Sequence, residues 1–238
     1  MNRIQTSIEN LTKTRTTESR IWKSFRHQDV ARKIGDFLWR CAHDSLRIGA
    51  FWKNVAGCEQ RAICVCCGTE ESIEHILVEC RAEATVEIRR LLALILRKKK
   101  DRVIPLTLGT LLGATAFTYA TKDEASTAAA DRLFRIAVSE SVYLIWKLRC
   151  ERTIEHGDAP DSWHTAAEAR AKWYACMNRR LALERTLTSR RLGEKALDRA
   201  VIENTWSGVL NLPDQDQTKW LGVSGVLVGK LDNRNRNG

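Results

Sequence analysis

Apolar residues recur every three or four positions through most of the chain, a spacing that predicts helices. One apolar stripe over residues 30–41 and another over residues 84–96 predict two helices in the first half. In the second half, long helices are predicted over residues 124–151, from 161 or 162 to 187, and over 194–210. The segment 220–231 is apolar but interrupted by glycine, which fits a docked strand or a loop.

Polar and helix-breaking residues mark where these helices begin and end. Asp29 stands where it would cap the helix over 30–41. Residues 121–124 have the form of a capping box for the first long helix. Pro105 and Gly109 break the pattern, so that residues 100 to about 120 are predicted to be a connection with at most a short helix. Pro213 is expected to end the last long helix.

The pattern divides the chain into three parts. Residues 1–18 are polar, and we expect a mobile tail there. Residues 19–105 form a first folded unit, and residues 120–238 form a C-terminal helical region.

A cysteine and histidine motif dominates the first unit. Cys64 and Cys67 are followed by seven residues and His75, and then by four residues and Cys80. Three thiolates and an imidazole at such spacing predict a structural Zn²⁺ site. Gly68 follows the turn from Cys64 to Cys67, and a left-handed backbone conformation is expected at this position. The predicted fold class is therefore mainly α, with a small zinc-clipped helical unit followed by a bundle of long helices.

The spacing leaves part of the ligand set open. Cys66 is an alternative to Cys64 or Cys67, and Cys58 is a weaker one. On an ideal helix Cys80 would point away from His75, since residues on one face are three or four apart. We therefore expect the helix that carries His75 to end near residue 78 or 79, with a turn that delivers Cys80.

Composition restricts the partners and the compartment. The chain has 238 residues, a net charge of +10 and eight cysteines. Such a charge favours a nucleic-acid partner, RNA or DNA, although an anionic membrane or solubility alone would also fit it. The sequence has no visible secretory signal and no apolar run long enough to span a membrane, so we expect no membrane partner. A nuclear or cytoplasmic location is predicted, where thiols stay reduced and a metal site is favoured over disulfides.

One basic segment is the candidate nucleic-acid contact. Its residues are Arg89, Arg90, Arg97, Lys98, Lys99, Lys100 and Arg102. Such a run contacts phosphates in some proteins, but cations are also favoured at the solvated end of a helix. Trp39, Trp146, Trp173 and Trp206 lie in apolar helical patterns, which favours core packing over base stacking on exposed rings.

Residues 22–80 resemble the zinc-binding domain that follows the reverse transcriptase and RNase H domains of non-LTR retrotransposon polyproteins. The resemblance is carried by the Phe-Leu-Trp-Arg run at 37–40, by His43-Asp44, and by Cys64, Cys67, Glu74-His75 and Cys80. Later segments, 139–149 and 178–183, also look like the C-terminal parts of such proteins. The resemblance implies Zn²⁺ as the cofactor and the reverse transcriptase and RNase H portion of a parent polyprotein as a partner.

The catalytic motifs of those polyproteins are not found in this sequence. No Asp-Asp pair that would hold magnesium in a reverse transcriptase occurs, and little sheet potential exists for an RNase H site. We predict no catalytic residues and no enzyme activity. Two functions remain: a non-catalytic module that binds RNA or DNA non-specifically, and a zinc-stabilised structural or protein-interaction module without nucleic-acid affinity.

Overall fold

A computed structural model describes residues 1–99, 104–118, 124–212, 220–223 and 225–229, and it is mainly α-helical. The helices are α1 (Asn2–Thr12), α2 (Glu18–Ser24), α3 (Arg32–Ala42), α4 (Ala50–Lys53), α5 (Glu83–Lys99), α6 (Leu108–Gly113), α7 (Glu124–Cys150), α8 (Ala166–Leu187) and α9 (Arg199–Trp206). Two short strands, β1 (Leu210–Asn211) and β2 (Leu227–Val228), pair antiparallel. The predicted mainly-α class is confirmed, because long helices follow the cysteine and histidine cluster.

Residues 2–12 form a helix where a mobile tail was expected. Ile4, Ile8 and Thr12 are buried at helical spacing on one side of α1. That side packs against α6. The short polar segment was misread because only one narrow stripe of α1 is apolar, and a single stripe is enough to dock a helix on a neighbour.

The contact between α1 and α6 depends on small residues. A Cβ atom on Gly109 would lie 2.2 Å from Ser7 Oγ and 2.4 Å from the carbonyl oxygen of Arg3. Gly109 was interpreted as a break in the helical pattern. It lies inside α6, and the lack of a side chain lets the two helices approach each other.

The predicted apolar stripe on α3 is present. Among the tryptophans that were expected to pack in the core, Trp39 is an exception. Phe37 and Leu38 are buried, but the next residue, Trp39, is 47% exposed. The prediction that Trp39 packs in the core is therefore wrong. Trp173 and Trp206 are fully buried, as expected from their apolar surroundings.

Asp29 does not cap α3, whose N-cap is Ala31. Its carboxylate is buried and accepts hydrogen bonds from Arg132 Nε at 2.9 Å and from Arg135 Nη1 at 2.8 Å. Arg132 also donates to both oxygens of Glu184, which is fully buried on α8. A buried charge is costly unless it is paired. This network therefore connects the segment before α3 with α7 and α8.

The two predicted folded parts share one hydrophobic core. Helix α5, from the first part, packs against α7 and α8 from the second. The same apolar cluster includes residues from Ile4 to Val228. The connection near residues 100–120 contains α6, the short helix that was allowed there, and the predicted capping box at 121–124 lies largely outside the described residues.

The C-terminal part differs in its helix bounds. Thr165 caps α8 in a capping box with Glu168, a few residues after the predicted start. The helix expected over 194–210 is the shorter α9, which Asp198 caps. The predicted end at Pro213 lies outside the described residues. Within the described ranges, no helix combines the length and the apolar character that a membrane crossing needs.

Candidate metal centre

A tight turn brings the first two cysteines of the motif together. The backbone N–H groups of Cys67 and Gly68 both donate to the carbonyl oxygen of Cys64, at 3.2 and 2.8 Å. Gly68 has φ 70°, the left-handed conformation expected at this position. Glycine adopts that conformation without the steric cost of a Cβ atom, so the turn closes directly behind Cys67.

A π turn delivers the other two ligands. The chain winds as a π-helix over His75–Glu79, and the N–H of Cys80 donates to the carbonyl oxygen of His75 at 2.6 Å. An i→i+5 turn holds more residues than an α-helical turn, so the residue five positions on comes back toward His75. The helix ends at Glu79, as predicted. The π turn brings Cys80 back to His75 although the two residues are five positions apart, a spacing that would separate them on an ideal α-helix.

Four ligand atoms converge in this centre. The ligand atoms of Cys64, Cys67, His75 and Cys80 all lie within 4.8 Å of one another. The sulfur of Cys80 is 4.0 Å from that of Cys64 and 3.9 Å from that of Cys67. Tetrahedral zinc with Zn–S bonds of about 2.3 Å places sulfurs roughly 3.8 Å apart. The observed distances fit such an ion.

The imidazole of His75 is arranged as a metal ligand. The side chain is buried, and its Nε2 atom has no hydrogen-bond partner among the described residues. Its Nδ1 atom lies 3.3 Å from the hydroxyl of Thr69. A hydrogen bond from Nδ1–H to that hydroxyl leaves Nε2 unprotonated, and this is the tautomer that a metal requires.

The sulfurs share protons and polar neighbours. The contact between the sulfurs of Cys64 and Cys80 raises the pKa of Cys64 to about 12 and lowers the pKa of Cys80. The N–H of Arg81 lies 3.3 Å from the sulfur of Cys67. Binding of a metal would replace the shared proton, because the thiolate is the ligand form of cysteine.

Helix α7 and a second π-helical turn that follows it, Glu151–Glu155, contact the metal centre from the second half of the chain. Arg152 is buried and its Nη2 atom lies 3.8 Å from Cys64 Sγ. Arg149 donates to Glu71, a buried carboxylate between Cys67 and His75, with Nε at 3.2 Å from Oε1. Two buried arginines therefore connect the segment from Cys64 to Cys80 with the helical region.

The other cysteines lie outside this group. Cys66 and Cys58 are half-buried and are not members of the converging set. Cys41, Cys150 and Cys176 lie on α3, α7 and α8, where burial raises the pKa of each thiol. The alternatives that the spacing left open are thus not the arrangement that the fold adopts.

Fold and site together define a small helical zinc-binding domain of the Cys3His type, continued by a helical region. Residues 5–86 match the family model described as zinc-binding in reverse transcriptase. This confirms the resemblance noted for residues 22–80. The match begins inside α1, whereas the pattern placed the start of the domain at residue 19, and residues 87–238 lie outside it. No curated protein and no solved structure matches the chain.

The predicted basic segment does not form a continuous free surface. Arg89 donates to the carbonyl oxygen of Cys80, and Arg90 pairs with Glu87. Lys99 donates to the carbonyl oxygens of Asn204 and Ser207 at the end of α9. Burial lowers the pKa of Lys99 to about 8.

Arg97 and Lys98 remain exposed, and Lys100 and Arg102 lie outside the described residues.

Sequence reasoning missed the residues that support the ligands from a distance. Nothing in the local pattern connects Arg152 with Cys64 or Arg149 with Glu71, because the two residues of these pairs are 88 and 78 positions apart. Thr69 carries a weak signal, since a hydroxyl inside the Cys-to-His spacer is well placed to orient the histidine.

Proposed function

We propose that this chain is a non-catalytic zinc-binding module that binds RNA or DNA with little sequence preference, within a protein derived from a retrotransposon. The observation that carries the proposal is the closed Cys3His cluster in a segment matching the reverse-transcriptase zinc-binding family. The net charge of +10 supports an anionic partner.

The donor set supports a structural ion. Zn²⁺ bound by three thiolates and Nε2 of His75 has four protein ligands, and no position is left for a reactive water. The ion would supply folding free energy to the segment between Cys64 and Cys80, which has only short helical pieces of its own. The reverse transcriptase and RNase H portion of a parent polyprotein stays a proposed partner, and a nuclear or cytoplasmic location stays a prediction.

One observation favours the second candidate, a structural or protein-interaction module without nucleic-acid affinity. Arg89, Arg90 and Lys99 all have partners inside the chain. Basic residues that stabilise the fold are not free to contact phosphates. The candidates differ in one measurable property, which is affinity for nucleic acid.

The test is fluorescence anisotropy of a labelled oligonucleotide, titrated with zinc-loaded protein over a series of salt concentrations. The proposed function predicts binding at low salt, with an affinity that falls linearly on a logarithmic salt scale and hardly depends on sequence. Absence of binding at low salt, with the protein folded and zinc-loaded, would favour the second candidate.

A further inference from the structure

Three aromatic rings stack on one face of the N-terminal half. The ring of Trp39 lies on that of His43 with centroids 3.9 Å apart, and His43 lies against Trp22 at 4.3 Å. His43 is fixed by a contact of 3.0 Å between its Nδ1 atom and the carbonyl oxygen of Trp39. The indole of Trp39 therefore packs against the ring of His43 while 47% of the residue is exposed.

A cleft of about 500 Å³ opens beside this stack. Trp22 and Trp39 line it together with Arg26, Gln28, Arg32 and Asp36. Aromatic rings and long polar side chains thus line the same space. Such a mixture of ring and donor groups suits a ligand that has both a flat apolar part and a charged part.

The two guanidinium groups of the cleft are free to bind an anion. Arg26 and Arg32 are exposed, and neither has a carboxylate partner within the described part of the chain. This distinguishes them from Arg89, which donates to the carbonyl oxygen of Cys80, and from Arg90, which pairs with Glu87. Among the described residues, Asp36 is the one that brings a carboxylate to the lining of the cleft.

We propose that this cleft is a binding site for unpaired bases of a single-stranded nucleic acid, with one base stacked on Trp39 and the adjacent phosphates on Arg26 and Arg32. The proposal rests on the proposed nucleic-acid function and locates it on α2 and α3 in place of the basic end of α5. Every base has a flat face, so stacking on tryptophan gives affinity without sequence preference. Bases inside a duplex do not present that face to an outside ring.

The test compares variants by anisotropy with a labelled oligo(dT) of about 15 nucleotides, a length matched to single-strand binding sites. Trp39→Leu is expected to weaken binding about tenfold while leaving the salt dependence unchanged, because stacking releases no counterions. Trp39→Phe keeps a ring and is expected to retain most of the affinity. Arg26→Gln with Arg32→Gln is expected to reduce the salt slope by about 1.4, at about 0.7 per phosphate contact on single strands.

Phe51→Leu is the matched control, since Phe51 is an aromatic residue that is 42% exposed and lies outside the cleft. Its binding is expected to equal that of the wild type. Zinc content and thermal melting of each variant show that the fold is intact. A second readout is Trp39 fluorescence, obtained as the difference between the wild type and Trp39→Phe, which stacking of a base is expected to quench.

Failures of the two proposals are distinguishable. If the wild type binds oligo(dT) and folded Trp39→Leu binds it equally well, the stacking site is wrong and the nucleic-acid function stands. An equal loss on a duplex of the same length would also overturn the stacking site. If the folded, zinc-loaded wild type binds no oligonucleotide at low salt, both proposals fail.

Discussion

Arg152 Nη2 lies 3.8 Å from Cys64 Sγ, although 88 positions separate the two residues in the chain. Three thiolates around one Zn²⁺ leave a net charge of about −1, since the imidazole is neutral. The buried guanidinium of Arg152 beside the buried sulfur of Cys64 would offset that charge. The metal centre and the helical region are therefore coupled through this contact.

Replacement of Arg152 tests the coupling. Arg152→Gln is expected to lower the affinity for zinc about tenfold, the range typical of residues that support metal ligands. The measurement is competition with a chromophoric chelator at fixed pH. Arg170→Gln is the control, because Arg170 pairs with Glu87 on α5 and does not touch the ligands. Equal zinc affinities in the two variants would contradict the coupling.

Glu184 is the centre of the buried polar network in the helical region. It accepts from Arg132, Arg180 and Trp206 and is fully buried. Glu184→Gln removes a charge but leaves the arginines in place, so it is expected to lower the free energy of unfolding by about 3 kcal/mol.

Urea unfolding of the zinc-loaded protein measures this change. Glu59→Gln, at an exposed carboxylate in a surface turn, is expected to change stability by less than about 0.5 kcal/mol. A Glu184→Gln protein as stable as this control would show that the network contributes little.

The docking of α1 on α6 is tested at two glycines. Gly109→Ala is expected to release α1, because the new Cβ atom would lie 2.4 Å from the backbone oxygen of Arg3. Gly113→Ala meets only side-chain atoms of Ile4 and Ile8 at 3.1 Å, and a smaller effect is expected.

Hydrogen exchange of residues 2–12 reports the outcome. Faster exchange in Gly109→Ala than in Gly113→Ala is the expected order. Unchanged or slower exchange of residues 2–12 in Gly109→Ala would show that α1 is not held at this site.

Lys99 separates stabilisation of the fold from nucleic-acid contact. Its amino group donates to two carbonyl oxygens at the end of α9. Lys99→Met is expected to lower the free energy of unfolding by about 1–2 kcal/mol, because the hydrogen bonds of a charged group are lost. The salt slope of oligonucleotide binding is expected to stay unchanged, because no phosphate contact is lost. Lys98→Met, at the exposed neighbour, is the control for stability. A reduced salt slope in Lys99→Met would return Lys99 to the nucleic-acid surface.

Local patterns predicted the elements that local forces determine. The stripe of α3, the long helix α7 and the left-handed Gly68 follow from spacing and residue type. The ligand spacing likewise identified the four residues that converge, because the turn from Cys64 to Cys67 and the π turn both lie within seventeen positions. The π turn itself was missed, since an ideal helix was the only geometry considered.

Contacts between distant parts of the chain were not predictable in the same way. Asp29 has the form of a helix cap, but its partners are arginines more than a hundred residues away. Trp39 lies in an apolar helical segment like the buried tryptophans, but it is 47% exposed. Burial of a charge or exposure of a ring is decided by packing partners that no short segment contains.

Zinc content of the reduced, purified protein, with Cys80→Ser measured beside the wild type, decides whether the four converging residues hold a metal ion. The closed Cys3His centre predicts one zinc ion per wild-type chain and loss of the ion in Cys80→Ser, together with partial loss of structure between Cys64 and Cys80. A wild-type chain that is folded with reduced thiols and takes up no zinc would contradict the account.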